Sequence, residues 1–594
     1  MKPTQCLSMA AAMLATMSAQ AGAATAPTPV TPIQHVIVIV GENHTFDNLF
    51  GTYQPKPGQT IDNLLSKGIV NADGSPGPHF DKGAQKIGLD VLKYHADTVS
   101  TGAYDVLPQP YTTYGIGLPQ GVPDTRFPDD MPNGPFQISW YVPYAAYTGD
   151  PVHRFFQMWQ DVDGGKMDKF AWVEETIGTG SNGNPPPADG FNPMEGAISM
   201  GFYNMNPFTD ASGNDQPGDA AIFKSLADSY AISDNYHQAI MGGTGANFQA
   251  LVNGDAAFFT NLDGSAGVPY ANQIENPNPV PGTNNYYTQD GYSGGSYVNC
   301  SDDKAPGVAA VLRQLKLQGV ANPNCEAGHY YLLNNYNLYW NQDGTTKTLG
   351  SDQFVLPPQT APTIADDMTA NGLSWKYYSA DRGDDPTVFP DSVDGIPLAF
   401  HSYCGICDPL AGYTSIETTD QAKNLQNYGA FLNDVKNGTL PAVSFVRPFE
   451  ALAGHPADST TDLYELFIQD LIDQVKANPA LWASTAIFIT TDEGGGYYDS
   501  GYIQALDFFG DGTRIPFIAV SPYAKQGYVD HTYYDHVSLL KFIEKNWGLP
   551  AISDRSRDNL PNPIATKRNP YKPTNGPAIG DLMSLFDFTA PPHS

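Results

Sequence analysis

Two short strings in this chain place acidic residues directly after a run of apolar ones. Residues 34–51 read Gln-His-Val-Ile-Val-Ile-Val-Gly-Glu-Asn-His-Thr-Phe-Asp-Asn-Leu-Phe-Gly, so Glu42 and Asn43 follow Val36–Val40 closely. Residues 486–496 read Ala-Ile-Phe-Ile-Thr-Thr-Asp-Glu-Gly-Gly-Gly, so Asp492 and Glu493 follow a second such run and precede three glycines. Continuous apolar runs of this length suit central strands covered on both faces. Open α/β sheets bind their ligands just beyond the carboxyl ends of such strands. Carboxylate and amide oxygens at that place are hard donors that suit a divalent cation. The competing reading is that Glu42 and Asn43 only cap the next helix. Four oxygen donors from two strand ends favour the cation, whose identity the donors leave open.

A hydroxyl lies near a third strand. Met241-Gly-Gly-Thr-Gly-Ala-Asn247 sets Thr244 between glycines at the opening of an expected helix. Free backbone N–H groups at a helix N-terminus favour an anion. A metal contact would lower the pKa of the hydroxyl and make it a nucleophile. The alternative is that Thr244 serves only as a helix cap. His153, His401 and His455 offer proton transfer, although a single histidine is more often a surface or core residue. His531 and His536 are ambiguous, and Asp535-His536 could open the last helix.

The elements that must position these residues alternate between strand and helix. Asp219–Tyr230 reads as a helix and Ala231–Asn235 as a strand. Ala422–Lys436 reads as a helix and Leu440–Val446 as a strand. Ser459–Ala477 is amphipathic, with Leu463, Leu466, Phe467, Leu471 and Val475 on one face and Ser459 or Thr460 as its cap. Thr485–Thr490 and Ile515–Val520 read as strands, and Asp535–Trp547 as a helix. This alternation implies an α/β fold with a mostly parallel sheet and helices on both faces. Between these elements, residues 52–135, 176–218 and 260–300 are rich in Gly, Pro, Asn and Asp. They read as long ordered insertions, of the kind that builds sites on a rigid scaffold.

Composition narrows the setting. The formal net charge is −32, which argues against nucleic acid or an anionic membrane as partner. Residues 1–23 have the features of a secretory signal: Lys2, a short apolar run from Leu7 to Met17, and small residues at Ala19-Gln-Ala21 and Ala21-Gly-Ala23. The remainder, 24–594, is expected to be one domain, periplasmic or secreted, with no stable membrane insertion; its oligomeric state is left open. Of five cysteines, Cys6 leaves with the signal. Cys300 with Cys325 and Cys404 with Cys407 are the sequence-near disulfide pairs for an exported chain. A four-thiolate zinc site is the alternative, but only Cys404-Gly-Ile-Cys407 has suitable spacing.

Several strings together resemble a known family. They are Gly41-Glu-Asn-His-Thr-Phe-Asp-Asn-Leu-Phe-Gly51, Met241-Gly-Gly-Thr-Gly-Ala-Asn247, Gly438-Thr-Leu-Pro-Ala-Val-Ser444, Thr491-Asp-Glu-Gly-Gly-Gly-Tyr-Tyr-Asp499, Arg514-Ile-Pro-Phe-Ile-Ala-Val-Ser-Pro522 and Asp535-His-Val-Ser538. In this order they resemble the bacterial phosphoesterases that include acid phosphatases and phosphocholine-type phospholipases C. The resemblance implies an alkaline-phosphatase-like α/β/α sandwich and a metal-assisted phosphomonoester or phosphodiester hydrolase, with small phosphate esters as the expected substrates. By position it implies Glu42, Asn43, Asp492 and Glu493 as metal ligands and Thr244 as nucleophile. It makes His153, Asn247, His401 and His455 the phosphoryl-binding and proton-transfer residues. His401 departs from the family's common double histidine, because Phe400 precedes it. Phospholipase members often carry a twin-arginine signal, a C-terminal extension and Asp-His where this chain has Asp499-Ser500, so exported acid phosphatases are the nearer likeness. A phospholipase C is the alternative within the family, and a non-catalytic phosphate-binding protein the alternative outside it. The Cys-x-Pro-x-Arg or Ser-x-Pro-x-Arg pattern of sulfatases does not occur at Thr244.

Overall fold

The computed structural model describes residues 27–112, 122–176, 196–286, 294–383 and 403–593, with two further strand segments at 392–393 and 396–397. The expected signal segment and His401 lie outside the described residues. Eight strands form the central sheet: β1 His35–Gly41, β2 Ala231–Ser233, β3 Trp375–Ser379, β4 Leu425–Gln426, β5 Val443–Arg447, β6 Thr485–Thr491, β7 Phe517–Val520 and β8 Tyr528–Asp530. Their spatial order is β4-β3-β5-β1-β6-β7-β2-β8. All neighbours pair in parallel except β7, which runs antiparallel to both β6 and β2.

The apolar run predicted as a central strand is one. Val36–Val40 are no more than 2% exposed, and β1 lies between β5 and β6. Register shows that both sheet faces are covered. Seven helices matter here: α1 Phe46–Phe50, α2 Phe155–Val162, α3 Ala221–Ser229, α4 Thr244–Asn253, α5 Tyr428–Asn437, α6 Thr461–Lys476 and α7 Val537–Trp547. Side chains alternate along a strand, so Phe488 and Thr491 point to opposite faces. Phe488 stacks edge-on against Phe542 of α7 at 5.0 Å between ring centroids. On the other face, Tyr464 of α6 lies where a Cβ on Gly41, the register partner of Thr491, would stand, at 2.4 Å. Leu463, Phe467, Leu471 and Val475 of α6 are buried, as the amphipathic pattern requires, and Leu466 is half-buried.

Two elements differ from expectation. The helix expected over Ala422–Lys436 is interrupted, because Leu425 and Gln426 pair with Tyr377 and Tyr378 at the sheet edge. Helix α5 then starts afresh, with the Asn427 side chain accepting from Ala430 N at 3.0 Å. The helix expected from Asp219 begins at Ala221 and has no side-chain cap of its own. A distant residue supplies the acceptor: Glu465 of α6 takes a hydrogen bond from Phe223 N at 2.8 Å and another from Tyr144 at 3.0 Å. Asp219 instead accepts from Asn204 N at 2.8 Å and from Ser139.

These two buried acids make stability pH-dependent. Burial pushes Asp219 up to about 6 and Glu465 up to about 7, against the hydrogen bonds that hold their charged forms. The folded chain therefore keeps protons that the unfolded chain releases. Stability is greatest below about pH 4 as far as these groups are concerned, and it falls as pH rises through 6 and 7. Each group contributes on the order of 3 kcal/mol to that slope. In chelator, the thermal midpoint is expected to be higher at pH 5 than at pH 8, and Glu465→Gln should flatten the slope. A midpoint that stays level or rises toward pH 8 would contradict this.

Candidate active site

The two acid-bearing strand ends are neighbours because β1 pairs with β6, Gly41 lying opposite Thr491. Backbone hydrogen bonds continue past the strands: Asp492 N donates to Gly41 O at 2.9 Å, and His44 N donates to Glu493 O at 3.1 Å. Asn43 adopts φ 62°, a left-handed conformation that asparagine takes more readily than most non-glycine residues. The glycine run is what allows the loop to close. Gly495 has φ +59°, and a Cβ there would stand 2.5 Å from Asn43 Cβ. A Cβ on Gly496 would stand 2.3 Å from Val152 O, beside His153.

Thr244 opens α4, and its Oγ1 donates to Glu493 Oε1 at 3.2 Å. The expected nucleophile thus meets an expected cation ligand. Asn247, one turn further on, spends its amide on the preceding loop. Its Oδ1 accepts from Ile240 N at 2.9 Å, and its Nδ2 donates to the carbonyls of Ile240, Gly242 and Gly243 at 3.1, 2.9 and 3.3 Å. In this structure Asn247 fixes the loop that presents Thr244, where the resemblance implied a phosphoryl contact.

His153 Nε2 lies 3.9 Å from Glu493 Oε1, and its Nδ1 is 2.6 Å from Pro151 O and 3.9 Å from Asp150 Oδ1. His455 Nε2 lies 3.8 Å from Glu42 Oε2. The two imidazoles are driven apart. Burial lowers His153, with Asp150 working against it. Burial also opposes charge on His455, but Asp150, Glu42, Asp458 and Glu450 outweigh it and push that ring up to about 10. His44 is a core residue, bonded to Asn48 and Gly454 O at 2.7 and 2.9 Å. His531 pairs with Asp234 at 2.8 Å. The His536 ring bonds the Asp492 carbonyl at 2.5 Å, while Asp535 accepts from Val537 N at 2.9 Å just ahead of α7.

Three of the four expected ligands offer an open oxygen to a cation. Asn43 Oδ1, Asp492 Oδ2 and Glu493 Oε2 are buried and have no hydrogen-bond partner. Buried polar atoms left in that state cost about 1–3 kcal/mol each, so three of them on expected ligands point to a group they hold. Burial and the charge of Glu42 push Asp492 up to about 8. Burial and the charge of Asp492 hold Glu493 well above the carboxylate range. A divalent cation would relieve that crowding. Among the described residues, the one group of three or more His, Cys, Asp or Glu side chains whose ligand atoms all lie within 4.8 Å of one another is Glu42, Glu450, Cys404 and Cys407. That cluster is not a second cation site in this state. The two sulfurs are bonded to each other, and Arg447 Nη2 already binds both Glu42 Oε1 and Glu450 Oε2.

Sequence reading missed several members of the site. Asp150 accepts from Asn43 Nδ2 at 3.3 Å, and its position three residues before His153 was the available signal. Arg447 ends β5 as Glu42 and Asp492 follow their own strands, so the same rule reaches it. Asn334 and Asn335 had no local signal. They accept from Phe155 N at 3.0 Å and Gly245 N at 2.6 Å, and so cap the two helices that follow His153 and carry Thr244. The expected disulfides, Cys300–Cys325 and Cys404–Cys407, are both formed.

A model of the Phosphoesterase family matches residues 33–550. Over 96% of its length, the chain is 21% identical to a Mycobacterium tuberculosis protein named phospholipase C B, of which it covers 81%. It is 26% identical to a probable acid phosphatase of Kluyveromyces lactis over 35% of this chain and 47% of that one. Among solved structures, a protein of the alkaline phosphatase superfamily from Vibrio parahaemolyticus is similar at 11% identity and a TM-score of 0.25, over 59% of this chain and 65% of that one.

Proposed function

The chain belongs to the phosphoesterase family, and from that membership and the surroundings of Thr244 we propose that it is an exported metal-dependent acid phosphatase working through a phosphothreonine intermediate. The observation that carries the proposal is the Thr244 hydroxyl bonded to Glu493 beside three unpartnered buried oxygens. Glu42, Asn43, Asp492 and Glu493 would hold one divalent cation. When bound, it would acidify the Thr244 hydroxyl and neutralise charge on the phosphoryl oxygens.

The remaining steps belong to the chain's own residues. Glu493 Oε1 fixes the Thr244 rotamer and accepts its proton. The Thr244 Oγ1–phosphorus bond forms as the ester P–O bond breaks in line with it. His455 carries a proton at the site and delivers it to the leaving alkoxide, with His401 as the alternative donor from the sequence resemblance. His153, kept neutral, takes a proton from the water that attacks phosphorus, and Glu493 returns its proton to Thr244 Oγ1 as the Oγ1–phosphorus bond breaks. A cationic His455 also binds a phosphoryl oxygen, and with its ring pushed up to about 10 it keeps that charge on both sides of neutrality.

A phospholipase C acting on phosphodiesters is the second reading. A relative of that name aligns over nearly the whole chain, which favours it. A pH–rate profile with a small aryl phosphate, set beside hydrolysis of dispersed phosphatidylcholine at equal enzyme, separates the two. Faster monoester turnover with an optimum below pH 7 is expected. Phosphocholine release that exceeds aryl phosphate turnover would establish the second reading.

A further inference from the structure

Of the expected ligands, Glu42 has the most heavily occupied carboxylate. Its Oε1 receives Arg447 Nη2 and lies 3.2 Å from Cys407 Sγ. Its Oε2 faces His455. Cys407 is bonded to Cys404 and has no proton to donate, so its contact with Glu42 is a packing contact. Arg447 is 1% exposed and also binds Glu450 Oε2 at 2.6 Å and Pro448 O at 2.6 Å. It is therefore fixed on two further sides. Cys407 is fully buried, and its carbonyl accepts from Tyr377 of β3. One oxygen of Glu42 is thus held between a guanidinium and a sulfur that each belong to a rigid part of the fold.

We infer that Arg447 and the Cys404–Cys407 disulfide form a clamp that orients Glu42, so that the affinity of the site for its cation depends on whether this disulfide is closed. The inference rests on Glu42 as a cation ligand. Arg447, Cys404 and Cys407 act as positioning residues, because they touch the ligand and not the substrate. Cys404 is half-buried and Cys407 buried, so a dithiol reductant attacks Cys404 first. A mixed disulfide forms as the S–S bond breaks and Cys407 leaves as thiolate. The second reductant thiol then displaces Cys404 and closes the reductant's own disulfide. Two electrons pass to the protein, and each cysteine ends with a proton. The freed Cys407 can then donate to Glu42 or carry a negative charge beside it. Either change alters the orientation that the closed sulfur enforced. The other pair, Cys300–Cys325, where Cys325 Sγ meets Pro323 O at 3.4 Å, serves as the internal control.

The test is a titration with Ca²⁺ and with Mn²⁺, hard ions that thiols capture poorly. It is read both as the rise in thermal midpoint and as aryl phosphate turnover. Cys404→Ser with Cys407→Ser is compared with Cys300→Ser with Cys325→Ser, and charge-conserving Arg447→Lys is added. The metal concentration for half-maximal effect is expected to rise about tenfold or more in the Cys404/Cys407 variant and in Arg447→Lys, as for loss of a partner that orients a metal ligand. It should stay within about twofold in the Cys300/Cys325 variant, with kcat at saturating metal retained in that control. If the serine pair does not fold, the folded wild type is treated with dithiothreitol and its opened thiols are counted by alkylation and mass spectrometry. An unchanged half-maximal concentration once Cys404 and Cys407 are open would overturn the clamp while leaving the cation site standing. A wild type whose midpoint responds to no divalent ion would remove the cation site and the clamp together.

Discussion

Thr244→Ala is expected to lower aryl phosphate turnover at least about a thousandfold, a loss of roughly 4 kcal/mol in transition-state stabilisation, while the protein still folds. The two effects separate because they have different causes. As a fold element, Thr244 offers one hydroxyl at the start of α4, and that hydroxyl bonds only Glu493 Oε1. The loop before it is held by the Asn247 amide, and Gly245 N by Asn335. Neither contact needs the Thr244 side chain. Gly243, not Thr244, stands at the cap position of α4, so the helix loses no capping bond. Thr244→Ser should keep much of the activity, because it preserves the oxygen and loses a methyl. Circular dichroism and the thermal midpoint check the fold, and turnover checks the role. Retention of more than a few per cent of activity in Thr244→Ala would remove it as nucleophile.

The parts of this site that were legible in the sequence are those that local pattern dictates. Val36–Val40 and Ala486–Ile489 announce buried strands, and whatever follows a buried strand in an α/β sheet lies at its ligand-binding edge. Thr244 between glycines was legible for a similar reason, because the glycines mark a tight turn into a helix. Residues that act through tertiary contact were not. Glu465 supplies the N-terminal acceptor of α3 from another helix, and no periodicity within either segment reveals it. Asn335 reaches Gly245 across 90 residues of chain. The helix expected over Ala422–Lys436 failed because apolar spacing cannot register that Leu425 and Gln426 complete a sheet edge. Arg447 was within reach of the strand-end rule, but a search for oxygen donors passes over a cation.

Asp492→Asn is expected to raise the metal concentration for half-maximal activity about ten- to a hundredfold, with part of the activity restored by excess metal. The carboxylate has two separate duties. Oδ1 accepts from Glu493 N at 2.7 Å and from Asn43 N at 3.2 Å, and so joins the strand ends. Oδ2 has no partner and is the atom offered to a cation. An amide oxygen at the Oδ1 position keeps the first duty, while the neutral NH₂ group abolishes the second. Above about pH 8, where the buried Asp492 carboxyl gives up its proton, removing the charge also relieves the repulsion from Glu42. In chelator the variant should therefore melt higher than wild type, and with saturating metal lower. A pure loss of proton transfer would give neither crossing nor a moved midpoint. If maximal activity collapses at an unchanged metal midpoint, Asp492 acts on the substrate and the cation site must be drawn without it.

The covalent intermediate is the claim on which the rest depends. Enzyme mixed with excess aryl phosphate and quenched in acid within a turnover is digested and its peptides are weighed. A phosphoryl group is predicted on the peptide that contains Thr244, localised to that residue by fragmentation and absent from Thr244→Ala. A quenched enzyme that turns over substrate yet carries no phosphoryl group on Thr244, or carries it on a histidine instead, would contradict the account.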